Sequence, residues 1–481
     1  MANNKNGDSM QLKEIIKLKY SNTPDLISKS YVLNKKNIDV FYLETVCSSD
    51  KVHDYVLKGI VSAIIEKDKI HNIDNILGSA NAKQLYTLED IEFHLSNGYT
   101  IIIFDEKIYA IETRADINRS IDRSSIEASI KGPQDAFVEN YQINLGLIKK
   151  RIKDKNLKVM NMTVGKRTKT MIGILYIDGI TNYSSVRFIQ DKLKSCEIDG
   201  ITDSSELAMI IDNENKTTFP TIIETERPDN VVSSLLEGKV AVIVDTTSNA
   251  LIAPAFLSDF INPQTDRYTK SINVNFIKIL RFFCFFISML APALYIAISN
   301  YNQETIPTKL LINFAVQREN VPFPATIEVF LMLLVCEILR ESDLRFPTIF
   351  GSAISILGAL ILGDASVSAG IVSPIIIIVV ALTFISSLMF NDINLINSLR
   401  HYRFIFLLCA SLLGLYGLLL AIIFFIINLV SINTLNTSYT IPIAPFDFEY
   451  LKKGLLSSSF LKDNKRSKNL ANENLIKKVS K

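Results

Sequence analysis

Charge is scarce where this chain is most apolar, so the few acids found there are the first candidates for chemistry. Between residues 346 and 390 the only charged side chain is Asp364, and between 404 and 430 there is none. Glu328 stands in a shorter apolar run, 325–339. An ionised carboxylate at the centre of a bilayer costs about 2.5–3.5 kcal/mol on insertion scales and little at the interface, so an acid kept in such a run faces water, a cation or a partner. Ile354, Leu357, Ile361 and Asp364 recur at three- and four-residue steps, one helical stripe ending in an acid. Gly351, Ser355, Gly358 or Ala359, and Leu362 or Gly363 share a second stripe, mostly small, which lets helix backbones approach closely in lipid. Two readings stand side by side. The segment is a packed helix with Asp364 at headgroup level. Alternatively, in a ring-shaped oligomer, Leu357, Leu360 and Ile361 form an apolar gate that closes by dewetting, with Asp364 an acidic, cation-favouring ring at its mouth.

Prolines are the second constellation: Pro292, Pro307, Pro322, Pro324, Pro347 and Pro374 lie in or beside apolar runs. Pro307, Pro322 and Pro347 read as helix ends, whereas Pro292 and Pro374, inside apolar runs, read as kinks, because proline lacks the N–H that continues a helix. Glu328 is the membrane-embedded acid of functional interest; Arg340 and Glu341 read as a solvated face.

The remaining motifs argue against other chemistry. Gly165-Lys166-Arg167-Thr168 lacks the spacing of a phosphate loop. There is no GxSxG, no HExxH and no CxxC, the four histidines are scattered, and the five cysteines suggest neither zinc nor a disulfide framework, so no cofactor, no metal and no enzymatic activity is expected. With 51 basic against 49 acidic residues, a formal net charge of +2, no nucleic-acid partner is implied.

These candidates need a scaffold, and the pattern supplies one. Runs of 18 or more uncharged apolar residues are long enough to cross a hydrocarbon core of ~30 Å. Five apolar segments follow residue 270: 276–298, 325–339, 346–363, 371–390 and 404–430. The first carries Lys278 and Arg281 on its N-terminal side, so the positive-inside rule keeps the preceding region cytosolic; the amino terminus shows no apolar signal segment. The tail from Leu451 carries nine Lys/Arg and two acids, which also favours the cytosol and an even number of crossings. Five segments do not make an even count, and 325–339, short and containing Glu328, is read as re-entrant or interfacial.

Ahead of the membrane segments, residues 1–30 read as a polar mobile segment. A first α/β subdomain follows at 31–115, with strands near Val40, at TIIIFD and at KIYAIETR, and a helix capped by Thr87. A second spans 116–270, with a helix entered through Pro133 and an apolar face of Phe137, Tyr141, Leu145 and Ile148. Its strands alternate with helices, which predicts a partly parallel sheet. The fold class is thus an α/β cytosolic region of two subdomains followed by an α-helical polytopic membrane domain at 271–435 and a basic cytosolic tail at 436–481.

Long blocks of residues then carry a resemblance. Gly132, Pro133, Phe137, Glu139, Asn144, Leu147, Ile148 and Arg151 form one; Gly165, Arg167, Thr168, Tyr176 and Gly179 a second; Phe219, Pro220, Thr225 to Asp229, Leu236, Gly238 and Asp245 a third. APALYIAI around Pro292, RENVPFPATIE, EILRES, GSAISILGALILG and AGIVSPIIIIVVA continue the series. Over about residues 120–430 the chain resembles the bacterial spore germinant-receptor A-subunit family, the GerA family. It departs from the family pattern at Gln134, Thr246, Leu333 and Asp364. The resemblance implies an A subunit of a nutrient-sensing receptor in the spore inner membrane. Its implied partners are a transporter-like, nutrient-binding B subunit and a lipoprotein C subunit. It further implies a homo-oligomeric, nutrient-gated ion channel, which favours the pore reading of the Asp364 stripe. The alternatives are a non-conducting membrane scaffold that binds a ligand or partner, and a secondary transporter; against the latter, no internal repeat is visible.

Overall fold

β-Branched and aromatic residues gather in short runs in the first quarter of the chain, and those runs pair into a sheet. The computed structural model describes residues 6–20, 24–33, 36–65, 82–104, 107–115, 127, 131–212, 217–319, 321–343, 362–435, 437–446, 466, 470–471 and 476. Strands β1 (Leu26–Leu33), β2 (Lys36–Leu43), β3 (Lys83–Leu85), β4 (Tyr99–Phe104) and β5 (Lys107–Glu112) form a sheet of order β1-β2-β4-β5-β3 with every pairing antiparallel. Thr87 caps the helix Leu88–Ser96, its side chain accepting from the Asp90 N–H at 3.1 Å. The expected mobile segment 1–30 is corrected: helix α1 (Asn6–Lys19) forms there, and Ile16 and Tyr20 are buried in the core of the first subdomain. Ile16 inside the helix and Tyr20 just past its end, four residues apart, lie on the side that meets that core.

The second subdomain holds β6 (Leu157–Val164), β7 (Thr170–Ile177), β8 (Ile223–Thr225), β9 (Val240–Val244) and β10 (Ala250–Ala253), ordered β6-β7-β9-β10-β8. All pairings are antiparallel, which corrects the partly parallel expectation. The cause is topological. A helix, Pro228–Glu237, does connect β8 to β9, but β10 inserts between them and pairs with both. Alternation along the strands splits the core in two. Leu175, Ile177, Ala241 and Ile243 face the helices Tyr141–Arg151 and Pro228–Glu237, while Ile172, Ile174, Val242 and Val244 face Tyr183–Lys194 and Ser204–Ile211.

Pro133 does not enter a helix. The helix begins at Tyr141, capped by Asn140, because the Asn144 amide holds both the N–H and the carbonyl of Val138 and keeps the preceding residues irregular. Phe137, Tyr141, Leu145 and Ile148 nevertheless share one core. Several residues that carry the resemblance are fastened together here. Arg151 pairs with Asp135, and Arg227 forks onto Asp229 at 3.0 and 2.7 Å. Tyr268, in the segment leading to the helical domain, donates to the same Asp229 carboxylate at 2.6 Å.

The helical domain comprises Ser271–Tyr301, Thr308–Arg318, Ala325–Asp343, Pro374–Ser387 and Ile393–Ser431, with further helical residues at 362–368. Ser271–Tyr301 leaves the α/β region at Asp266, whose carboxylate takes both Arg281 nitrogens at 2.7 and 3.0 Å. The segment expected to be re-entrant is a continuous helix of 19 residues, Ala325–Asp343. It begins near Asn300, which donates to Thr326 at 3.3 Å, and so returns toward the α/β region.

The last apolar segment is not one long rod. A helix of 39 residues would separate Tyr402 from Phe425 by ~35 Å, yet their ring centroids lie 4.7 Å apart. The chain reverses at Gly414, with φ 62° and ψ −141°, a conformation open essentially to glycine alone. Arms 393–413 and 415–431 therefore lie side by side, and the turn sits against Tyr301, whose hydroxyl donates to Ser411 O at 2.5 Å. Both arm ends return to the α/β region: Ser398 bonds Thr218 O, and Thr434 bonds Ala255 O. The carboxy-terminal residues Leu470 and Ala471 are buried, with Ala471 bridged to Thr181. The described ends of the chain thus lie on one side of the bundle.

Candidate functional site

Charged side chains penetrate the apolar bundle at two levels. At the level nearer the α/β region, Glu337 on Ala325–Asp343 receives Arg340 from its own helix and Arg400 and Arg403 from the arm 393–413, the latter two at 3.4 Å. Arg403 is 1% exposed; its Nε donates to Ser288 O at 2.7 Å, and its Nη2 has no hydrogen-bond partner. The solvated face expected for Arg340 is corrected: its side chain is mostly buried against Glu337, because the arm 393–413 packs across it. Arg400 and Arg403 were missed in the sequence because they stand just ahead of the uncharged run. The usable signal was the pair of arginines at i and i+3, with acids of matching charge on another apolar segment.

At the far level stands Glu328, 1% exposed. Its Oε2 accepts the Ser373 N–H at 2.8 Å, so the carboxylate sits at the amino terminus of Pro374–Ser387, where the helix dipole favours an anion. Arg318 Nε approaches Oε1 to 3.7 Å, beyond hydrogen-bond reach. Glu328 Oε1, Arg318 Nε, Ser373 Oγ and Tyr295 OH are all buried without a hydrogen-bond partner. Such a group of idle donors and acceptors is able to hold water or an ion.

Pro374 is at the first helical turn, which corrects the expected kink: its missing N–H falls where no intrahelical bond is made. Pro292 does lie within a helix, buried between Met289 and Ala293. Asp364 is exposed, on helical residues 362–368, and no ion pair reaches it among the described residues. A Cβ added to Gly363 would meet nothing within 4 Å, so its packing face is open in the single chain. Gly351, Leu357, Gly358, Leu360 and Ile361 lie outside the described residues.

The bundle meets the α/β region at Phe219. Its ring stacks on Tyr402 at 5.5 Å and lies 6.0 Å from Phe425 and 6.2 Å from Tyr439. Nearby in the α/β region Glu127 accepts from Thr225 Oγ1 at 2.8 Å, and burial pushes its carboxyl up to about 7. Burial and the hydrogen bond to Asp229 raise Tyr268 to about 12. Among the described residues no group of three or more His, Cys, Asp or Glu is placed to hold a metal.

The family profile described as Bacillus/Clostridium GerA spore germination protein matches residues 14–469. The chain belongs to the GerA family. Spore germination protein KA of Bacillus subtilis (strain 168) is 36% identical over 450 residues, covering 92% of this chain and 82% of that protein. Spore germination protein B1 of the same organism is 33% identical over 84% of each chain. A further relative there, described as an uncharacterized membrane protein, YfkQ, is 30% identical over 86% of this chain and 81% of its own length. Among solved structures, the N-terminal domain of the A subunit of the Bacillus megaterium spore germinant receptor GerK3 is similar, with 27% identity and a TM-score of 0.40. It covers 51% of this chain and 94% of that one. For a GerA family member the described chain places its two levels of buried charge in the helical region and its aromatic joint where that region meets the sheets.

Proposed function

We propose that this chain is the A subunit of a nutrient-sensing spore germinant receptor. Its helical domain crosses the inner spore membrane, and copies of it, together with B and C subunits, form a nutrient-gated ion path. Membership of the GerA family supports the receptor role, and the relative named as a membrane protein supports the location. Among the described residues two helical segments, Ser271–Tyr301 and Ile393–Ser431, are long and apolar enough to span, by length and composition, and the second folds back at Gly414. That reversal contributes a pair of passes and fits an even number of crossings, with the α/β region and tail in the cytosol.

The observation that carries the conducting part is the state of Asp364. It is an exposed acid beside an open glycine face, preceded in sequence by Leu357, Leu360 and Ile361, with no ion pair to it among the described residues. In a homo-oligomer those acids would converge as a cation-favouring ring below an apolar gate. The Phe219 joint offers a rigid route by which rearrangement of the α/β region reaches the arms of the hairpin.

The test is reconstitution of the purified receptor, all three subunits, in planar bilayers with current recorded before and after nutrient. Nutrient-dependent cation current supports the reading. A receptor that binds its partners and nutrient but passes no current makes the chain a non-conducting scaffold.

A further inference from the structure

Among the described residues, the ion pairs at Glu337 bring more positive than negative charge together. Three guanidinium groups, from Arg340, Arg400 and Arg403, converge on one carboxylate. Arg403 is almost completely buried, and its Nη2 has no hydrogen-bond partner. Burying an ionised group with an idle donor and an excess of like charge beside it is costly unless an anion completes the set.

The cluster is reachable from outside. The side chains of Arg340 and Arg400 are 15% and 30% exposed, whereas Arg403 lies behind them. Both carrier elements also expose apolar side chains, Leu334 and Ile338 on one and Ile405 and Leu408 on the other. Arg400 is ~10 Å and Arg403 ~15 Å along the arm from its start beside the α/β region, within reach of side chains that snorkel toward an interface.

We infer that this cluster is a binding site for the phosphate of an anionic lipid. The guanidinium groups supply planar, paired donors for the phosphate oxygens, and the exposed apolar side chains take the acyl chains. A free phosphate ion shares the headgroup chemistry but would leave those apolar side chains uncovered. Occupancy would supply the missing negative charge and tie Ala325–Asp343 to the arm 393–413. The inference rests on the helical domain standing in lipid.

The experiment uses the full-length chain purified in detergent and native mass spectrometry. The probes are phosphatidylglycerol, phosphatidylcholine and inorganic phosphate. The expected result is at least about tenfold stronger retention of phosphatidylglycerol than of phosphatidylcholine, and loss of that preference in Arg400→Gln/Arg403→Gln but not in Arg187→Gln, a surface control. Because the double variant loses buried contacts, titration of the unaltered chain gives an independent reading. Retention of inorganic phosphate without any preference for phosphatidylglycerol over phosphatidylcholine assigns the site to the free ion and overturns the lipid assignment. Equal retention of both lipids, with no effect of phosphate, overturns the inference. No current is measured, so a chain that conducts nothing can pass this test, and one that conducts can fail it.

Discussion

Lys149 places its Nζ 2.5 Å from Oδ2 of Asp25, joining the two α/β subdomains through charges only 6% and 4% exposed. Thr45 Oγ1 donates to the same carboxylate oxygen at 2.5 Å, and Oδ1 has no hydrogen-bond partner. Burial draws the Lys149 ammonium below its usual range, and Asp25 opposes that shift. Lys149→Met leaves a buried carboxylate uncompensated and should destabilise the protein by about 3–5 kcal/mol. Asp25→Leu/Lys149→Met should recover most of that loss. With no tryptophan in the chain, circular dichroism through a urea titration is the suitable readout. A double variant no more stable than Lys149→Met would show that the pair is not what links the subdomains.

Gly414 makes the second prediction. A Cβ there would meet Tyr301 Cγ at 2.8 Å in a backbone conformation that other residues rarely adopt. Gly414→Ala should cost at least about 2 kcal/mol from backbone strain and overpacking together. Adding Tyr301→Ala should relieve the clash but not the strain, and so restore only part of the thermal stability. Full restoration by the second change would assign the whole cost to packing.

Glu127 links stability to pH. Its folded-state carboxyl titrates near 7, above the ordinary range, because burial outweighs the hydrogen bond from Thr225. Between that ordinary range and 7 the folded state binds more protons than the unfolded one. The contribution is therefore fully present below pH ~4 and is lost as pH rises through about 7, a change on the order of 3 kcal/mol. Glu127→Gln should flatten the unfolding free energy across that window. An unchanged slope in the variant would place the titration on another group.

Asp364 is tested by selectivity. In the reconstituted receptor, Asp364→Asn should lower the cation-over-anion permeability ratio severalfold while leaving nutrient dependence intact. A ratio unmoved by the substitution removes Asp364 from the ion path, whatever the fate of the receptor reading.

Much of the local architecture was legible along the chain because it is written in short-range chemistry. Thr87 and Asp90 announce their helix, and Pro228 with Gly238 brackets another, since caps act within one turn. Sheet direction was not legible: Pro228–Glu237 joins two parallel strands as alternation implies, but nothing local says that β10 will slip between them. The docking of α1 was equally hidden, since Ile16 and Tyr20 matter only once a core exists to receive them.

For the candidate site the division is sharper. Glu328 and Asp364 could be singled out by type alone, as acids in apolar runs, because the cost of burying charge is a property of the residue and its neighbours in sequence. The partners of Glu337 could not, since Arg400 and Arg403 reach it only after the arm 393–413 packs across Ala325–Asp343. The sequence alone determined which segments are apolar, where helices begin and end, and which family pattern the chain carries. Tertiary structure decided that one apolar segment turns back on itself at Gly414, that Phe219 plugs the joint, and that three arginines share one carboxylate. Those depend on contacts between residues far apart in the chain, whose energies exist only once the backbone has brought them together.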